Sequence, residues 1–318
     1  MKSIAIAGTI LVDKINVIDV YPEKGKLVDI LSVSKAVGGC VPNVAIDIKR
    51  LDKDFRVVGI GKVGKDSEGD FVISTLKENG VEVDGIKFGN ATSFSEVMSV
   101  KGGERTFFVY AGDNSTFGVQ DIDFDSLNVD MFHLGYFLLL DKVDSGEGVE
   151  ILKKLQAKGI KTSIDLVSKD GGDYKIVRPA LKYTDNIIIN EIEAKGISGL
   201  ETDDLFEISK ALKELGVKER VIIHRPEYAV CLSNSGYTVV PSFELPKGFI
   251  QGSTGAGDAF CAGCLLGIAK GFSDKEILEL SSCSAVCNLS KANSIDGMTS
   301  IENAKKLCAK FKRKNFRI

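Results

Sequence analysis

The stretch Gly252-Ser253-Thr254-Gly255-Ala256-Gly257-Asp258-Ala259-Phe260 carries more chemistry than any other part of this chain. Two glycines flank a single alanine, so the backbone can turn sharply and present consecutive N–H groups. Small and apolar residues continue from Ala259 towards Ala269 and predict a buried helix. Amides left free at a helix start, with the helix dipole behind them, make an anion site. Asp258 falls in that first turn, where the dipole favours its charged form. Beside a transferable phosphoryl group, such a carboxylate can take the proton of an attacking hydroxyl while the amides hold the developing charge. A tight turn and a helix-capping aspartate would account for the segment in isolation, so its surroundings must decide.

Downstream, Ser273-Asp274-Lys275-Glu276 is a capping box that opens a second helix, and a third helix follows Thr299. Upstream, short β-branched runs alternate with amphipathic stretches. The runs predict strands at Ser3–Ala7, Arg56–Ile60, Met131–Leu134, Thr162–Asp165, Asn186–Ile189 and Arg220–His224. Between them, helical spacing predicts helices at Val41–Leu51, Glu68–Asn79, Gly146–Lys158 and Asp203–Leu215. This alternation specifies an α/β fold with a mostly parallel sheet covered by helices on both faces. Two stretches break it. Ile15–Val37 holds the strand-like run Lys26–Ser34, and Thr92–Tyr110 reads as two strands around a hairpin turn at Lys101-Gly102-Gly103-Glu104. Together they predict a small β-sheet lid, inserted at about 14–37 and 91–112, over the C-terminal strand ends where open α/β sheets bind ligands. No repeat or Pro-rich linker divides residues 1–318, so a single domain is expected.

Two glycine patterns point elsewhere. Gly59-Ile60-Gly61-Lys62-Val63-Gly64 matches G-x-G-x-x-G, with Asp84 twenty residues on, as a dinucleotide fingerprint requires. An NAD-dependent oxidoreductase is therefore the rival reading. Against it, Lys65-Asp66-Ser67-Glu68 puts acidic residues and a Ser cap after the third glycine, so the helix starts beyond the motif. The same segment fails as a P-loop, because Asp66 stands where the mechanism needs a Mg²⁺-binding hydroxyl.

Composition bounds the rest. Of 318 residues, 44% are hydrophobic and 27% charged, an ordinary globular balance. A net charge of −3 supplies no global field for nucleic acid or anionic membrane. The basic end (Lys305, Lys306, Lys310, Lys312, Arg313, Lys314, Arg317) reads as a solvated helix end and tail. No apolar run approaches membrane-spanning length, and Asp13 and Lys14 interrupt the apolar start. Seven scattered cysteines suit a reducing compartment, so the expected location is cytoplasmic. Cys261-Ala262-Gly263-Cys264 has the spacing of a zinc or redox pair. With His133 and His224 both in apolar runs, no second half of a zinc site is evident, and the two thiols read as packing residues.

The segment Ser253–Phe260 resembles the C-terminal signature of the ribokinase-like (PfkB) carbohydrate kinases. Gly38-Gly39-Cys40-Val41-Pro42-Asn43-Val44-Ala45, followed by Gly61 to Gly69, resembles the N-terminal signature. Asn190-Glu191-Ile192-Glu193 resembles the family's N-x-x-E element, and Asp13 its substrate-binding aspartate. Order and spacing fit over nearly the whole chain. The resemblance implies a ribokinase-like fold and transfer of the γ-phosphate of ATP to a hydroxyl of a small carbohydrate. A hexose or ketohexose is the first expectation (fructokinase-like) and a nucleoside the second. Asp258 would be the base, and the amides of Gly255, Ala256 and Gly257 the anion hole. Asp13, Gly38, Gly39 and Asn43 would hold the sugar. Asn190, Thr254, Gly255, Gly257 and Asn288 would face the nucleotide, with Glu193 organising Mg²⁺ through water. Gly59–Gly64 would be a turn near the substrate.

Three departures matter. Gly252 replaces the aspartate associated with monovalent-cation binding, which argues against potassium activation. Ile223–Ala229 replaces a glycine-containing nucleotide loop, which points to an unusual adenine pocket. Leu11 and Cys40 stand where ribose-specific members carry a polar residue and a lysine, which argues against a ribokinase proper. A homodimer through exposed lid edges is a further expectation.

Overall fold

The computed structural model describes residues 1–101 and 105–315. The turn expected at Gly102–Glu104 and the last basic residue, Arg317, lie outside the described residues. In chain order the strands are β1 (Ser3–Gly8), β2 (Leu11–Ile18), β3 (Ile30–Gly38), β4 (Arg56–Gly64), β5 (Glu82–Gly89), β6 (Ser93–Val100) and β7 (Arg105–Tyr110). Then come β8 (Met131–Phe137), β9 (Lys161–Leu166), β10 (Asn186–Asn190), β11 (Arg220–His224), β12 (Tyr228–Ser233) and β13 (Gly236–Pro241). The helices are α1 (Cys40–Leu51), α2 (Ser67–Glu78), α3 (Gly148–Ala157), α4 (Arg178–Leu181), α5 (Glu191–Ser198), α6 (Leu205–Glu214), α7 (Ala256–Lys270), α8 (Asp274–Leu289) and α9 (Ile301–Cys308).

Nine strands form the main sheet in the order β13-β12-β11-β10-β9-β8-β1-β4-β5, and four form a second sheet, β3-β2-β6-β7. From β11 to β5 every neighbouring pair is parallel, and the β12–β13 hairpin adds two antiparallel edge strands. The inner strands read as continuous apolar runs because both faces are covered; every residue of β1 is buried. Two apolar clusters follow, one on each face. One packs α1, α7 and α8, and the other packs α3, α5 and α6. α7 is buried along nearly its whole length. Gly263 permits this, since a Cβ there would lie 2.6 Å from the Cα of Ser281 on α8.

The α8 cap falls where the sequence places it, whereas α2 is capped by Asp66 and the serine expected to cap it, Ser67, is the first helical residue. Ser273 and Glu276 form the reciprocal box at α8, and Asp66 accepts from Gly69 N at the start of α2. Three expectations need correction. Gly59–Gly64 lies wholly inside β4, so it is neither a dinucleotide turn nor a turn beside a substrate. The lid strand falls at Ile30–Gly38 rather than Lys26–Ser34, and its partner β2 begins at Leu11, three residues before the expected insertion. The basic tail is only partly solvated. It doubles back so that Arg313 stacks over the Phe243 ring at 3.7 Å and donates to Pro241 O at 2.7 Å. No helix among the described residues is long and apolar enough to cross a membrane.

Candidate active site

The N-terminus of α7 sits at the C-terminal end of the main sheet, beside the ends of β8, β9 and β10. Gly255 caps it in the left-handed region (φ 81°), a conformation that glycine adopts without cost. A Cβ at Gly255 would also lie 2.6 Å from the Cβ of Ser294. The helix has no side-chain cap. Ala256 N–H is engaged by Ser253 O at 3.2 Å, which removes it from the expected anion hole. Among the described residues the amides of Gly255, Gly257 and Asp258 have no partner, and they are the donors available to an anion.

Asp258 is 6% exposed. Its Oδ2 accepts from Asn43 Nδ2 at 2.8 Å, and its Oδ1 accepts from the Tyr136 hydroxyl. Asn43 in turn accepts from Ser294 Oγ at 2.9 Å. Expected to hold substrate, Asn43 instead spends both ends of its amide on the carboxylate and the 290s loop. Burial pushes the Asp258 carboxyl up to about 7. The Tyr136 and Asn43 hydrogen bonds oppose that shift, and the neighbouring Asp165 adds to it.

Two cavities border the turn before α7, one lined by Ser253, Gly255 and Asp258 and the other by Thr254. The larger, about 350 Å³, is lined by Tyr136, Asp165, Asn190, Glu193, His224, Ser253, Gly255, Gly257 and Asp258. Asn190 and Glu193 therefore do face it, as expected, but through a reciprocal capping box at α5. Asn190 Oδ1 accepts from Glu193 N at 2.9 Å, and Glu193 Oε2 from Asn190 N at 3.1 Å. Ser168 Oγ donates to Glu193 Oε1 at 3.0 Å and accepts from Asn190 Nδ2 at 2.9 Å. Desolvation raises the Glu193 carboxyl to about 8. His224, in the unusual 223–229 segment, packs 4.7 Å from the Phe260 ring, and burial lowers its imidazole to about 4, so it is neutral.

The smaller cavity lies under the lid, lined by Asp13, Ile15, Ala36, Val97, Arg105, Phe107, Thr254 and Ser294 among others. With a volume of about 10 Å³ it is nearly closed. Asp13 is on β2, and the Cβ position of Gly38 lies 2.5 Å from its Oδ2, so those two expected substrate residues are adjacent. Gly39 caps α1 with φ 87°, turning the chain towards Asn43. Burial raises the Asp13 carboxyl to about 6, and the Arg105 guanidinium opposes this. Arg105 on β7 also donates to Thr254 Oγ1 at 2.9 Å and to Ala292 O at 3.2 Å, clasping the lid to the α7 loop. Thr254, expected beside the nucleotide, thus faces the lid cavity. Asn288 is buried and lines neither cavity; its Nδ2 donates to Ser294 O at 2.6 Å and braces the same loop. Gly252 has the backbone of Ala292 packed 2.7 Å from its Cβ position, so no aspartate side chain fits there as the loop stands.

Sequence reasoning missed Tyr136, Asp165, Arg105, His224 and Ser294. Arg105 follows the hairpin signal directly and could have been singled out. The others sit in ordinary apolar or polar runs and carry no local signal.

Comparison with known proteins agrees with the fold. The model for the pfkB family carbohydrate kinases matches residues 1–301. A ribokinase of Arabidopsis thaliana is 22% identical over 311 residues, covering 96% of this chain and 80% of that protein. Fructokinase-2 of Oryza sativa subsp. japonica is 25% identical over 299 residues, covering 87% and 86%. The solved structure of Arabidopsis thaliana ribokinase complexed with ribose and ATP superposes with a TM-score of 0.83. There the identity is 21%, and the match covers 96% of this chain and 98% of that one.

Proposed function

The chain belongs to the pfkB family of carbohydrate kinases, phosphotransferases with an alcohol group as acceptor, and we propose that it transfers the γ-phosphate of ATP to a hexose or ketohexose hydroxyl. The observation that carries this reading is the position of Asp258. It is a buried carboxylate in the first turn of α7, next to three unpartnered amides and within the wall of a cavity large enough for nucleotide phosphates. A sugar hydroxyl approaching from the lid side meets Asp258, which accepts its proton. The amides of Gly255, Gly257 and Asp258 then stabilise the charge on the transferring group. Asn43 and Tyr136 hold the carboxylate in place.

Under the lid, Asp13 supplies acceptors for sugar hydroxyls, while Ile15, Val97 and Phe107 offer apolar walls to the ring faces. Two residues support a hexose over ribose. Leu11 is buried, and Cys40 is fully buried with its thiol beside His133 and Asp165, so neither offers a polar group or a charge to a pentose. Asn190 and Glu193 fit Mg²⁺ held through water, because the capping box and Ser168 already engage their side-chain oxygens. When bound, the ion shields phosphate charge. The packing at Gly252 supports activity without a monovalent cation.

The test is ADP release with MgATP against ketohexoses, aldohexoses, sugar acids, sugar phosphates and nucleosides. Ketohexose- or hexose-dependent release supports the reading. Release with nucleosides alone replaces it with a nucleoside kinase, and silence across the panel removes it. Arg105→Ala is expected to raise the sugar KM about tenfold or more, the loss of a charge-assisted contact, with kcat within a few-fold of wild type. Losing Arg105 also lets the Asp13 carboxyl rise further, so the KM defect should widen as pH falls from 8 to 6. A pH-independent KM would separate Arg105 from Asp13.

The lid edges β3 and β7 expose Ile30, Leu31, Val33, Phe107, Phe108 and Val109. This apolar surface supports a homodimer in which a second copy covers the lid. Light scattering across a concentration series is expected to give twice the chain mass, falling to a monomer for Val33→Lys. A monomer at every concentration of wild type would refute the pairing. Seven cysteines, all unpaired, support a cytoplasmic location.

A further inference from the structure

Cys261 does not pair with Cys264. The Cys264 thiol accepts from Ser281 Oγ at 3.0 Å, on the side facing α8. Cys261 turns the other way, with Sγ 3.7 Å from His133 Nε2. There it joins a buried group of which only Asp165 bears on the kinase site, as a charge near Asp258. One donor atom each from Cys40, His133 and Asp165 lies within 4.8 Å of the other two. His133 Nε2 is 3.3 Å from Asp165 Oδ2.

We propose that Cys40 Sγ, His133 Nε2 and a carboxylate oxygen of Asp165 bind one transition-metal dication of the Zn²⁺ class, and that Cys261 Sγ, close to His133 but outside that three-residue cluster, completes the shell by a small shift of its side chain. A tetrahedral zinc site with bonds of roughly 2.0–2.3 Å has edges between ligand atoms of about 3.3–3.8 Å. The 3.3 Å from His133 Nε2 to Asp165 Oδ2 falls on such an edge before any ion is placed, and the Cys40 edges, within 4.8 Å, need only a modest contraction. Mixed thiolate, imidazole and carboxylate donors select zinc-like ions over Mg²⁺ or Ca²⁺.

Three further features fit. His133 Nδ1 lies 2.8 Å from Ser163 Oγ, and donation to that hydroxyl leaves the Nε2 lone pair for the metal. Asp165 is only 5% exposed, and its Oδ1 has no nitrogen or oxygen donor, the Cys261 thiol being the weak donor beside the carboxylate. Gly135 leaves the needed room, since a Cβ there would lie 2.2 Å from Asp165 Oδ1 and 2.6 Å from Cys40 Sγ. An entry path exists too, because Asp165 and Cys261 both line the larger cavity. Binding replaces the Cys40 thiol proton with the metal and releases that proton. One thiolate and one carboxylate neutralise the dication, which removes the cost of a buried, half-paired Asp165.

The placement has a consequence. Cys40, His133 and Cys261 each stand three positions from Asn43, Tyr136 and Asp258 respectively. An ion here ties α1, β8, β9 and α7 together directly beneath the Asp258 constellation.

The test uses the full chain, stripped by chelator and titrated with Co²⁺ as the spectroscopic probe, so it does not depend on turnover. One equivalent is expected to bind with tetrahedral d–d bands and a thiolate-to-cobalt charge-transfer band, both bleached by Zn²⁺. The charge-transfer band should weaken in Cys40→Ser and vanish in Cys40→Ser/Cys261→Ser, while Cys308→Ser keeps it. Ser163→Ala should retain the band with affinity lowered about 10–100-fold. Should the cysteine variants fail to fold, the zinc K-edge spectrum of wild type decides. A first shell containing sulfur with nitrogen and oxygen supports the site. A shell of oxygen and nitrogen alone, no stoichiometric cobalt, or a band unchanged in Cys40→Ser would overturn it and leave a buried His–Asp pair beside two packing thiols.

Discussion

Asp258→Asn is expected to lower kcat by about 10²–10⁴-fold, the usual worth of a positioned general base, while sugar and ATP KM stay within a few-fold. The amide is isosteric and stays in the first turn of α7, so the cavity keeps its shape. It cannot accept the hydroxyl proton. The wild-type carboxyl is raised to about 7, chiefly by burial, so kcat/KM should climb as pH passes upward through that value and level off above it. The variant's residual rate should lack that step. Stability gives an independent check with the opposite sign. A carboxyl whose folded value is raised above its unfolded one stabilises the fold below the unfolded value and loses that contribution as pH rises through about 7. The melting temperature of Asp258→Asn relative to wild type should therefore increase between pH 6 and pH 8. Coupled ADP assays and thermal melts over that range measure both. A variant within tenfold of wild-type kcat would remove Asp258 from the role of base.

Gly255→Ala is expected to lower kcat by about 10²–10³-fold, the cost of losing one oxyanion-type donor, and to destabilise the fold as well. The backbone there has φ 81°, which costs roughly 1 kcal/mol for an L-residue, and the added methyl would press on Ser294 Cβ from 2.6 Å. Relief requires either turning the Gly255 and Gly257 amides away from the phosphate position or shifting the 290s loop. That loop carries Ser294, which holds Asn43, which holds Asp258. Both routes damage the same step. The pH profile separates this variant from Asp258→Asn: the base is still present, so the rise near pH 7 should persist at a lower plateau. Wild-type kcat in a folded Gly255→Ala protein would show that the amides do not act on the transferring group.

Much of the architecture was legible along the chain because it depends on neighbours. β1, β10 and β11 are apolar through their centres (Ile4–Ala7, Ile187–Ile189 and Val221–Ile223), and strands covered on both faces read that way. α8 begins where Ser273 and Glu276 said it would, because a capping box closes within four residues. Local reading failed where one pattern admits two structures. Gly59–Gly64 carries the spacing of a dinucleotide turn, yet it is strand throughout. Its glycines fit a buried strand as readily as a loop, and spacing alone does not encode which.

The site divides along the same line. Sequence was enough to specify the α7 turn, the carboxylate in it, the lid and the family, since each is written in contiguous residues. What the carboxylate touches was not written there. Asn43 reaches Asp258 from 215 positions away, Tyr136 from 122, and Arg105 reaches Thr254 from 149. The Cys40–His133–Asp165 group likewise draws on an α-helix start and two strands, and its histidine sits in a run that reads as plain core. Hydrogen bonds and ligand sets of this kind depend on which strand ends lie side by side. That adjacency comes from sheet order and helix packing, and no short stretch of this chain contains it.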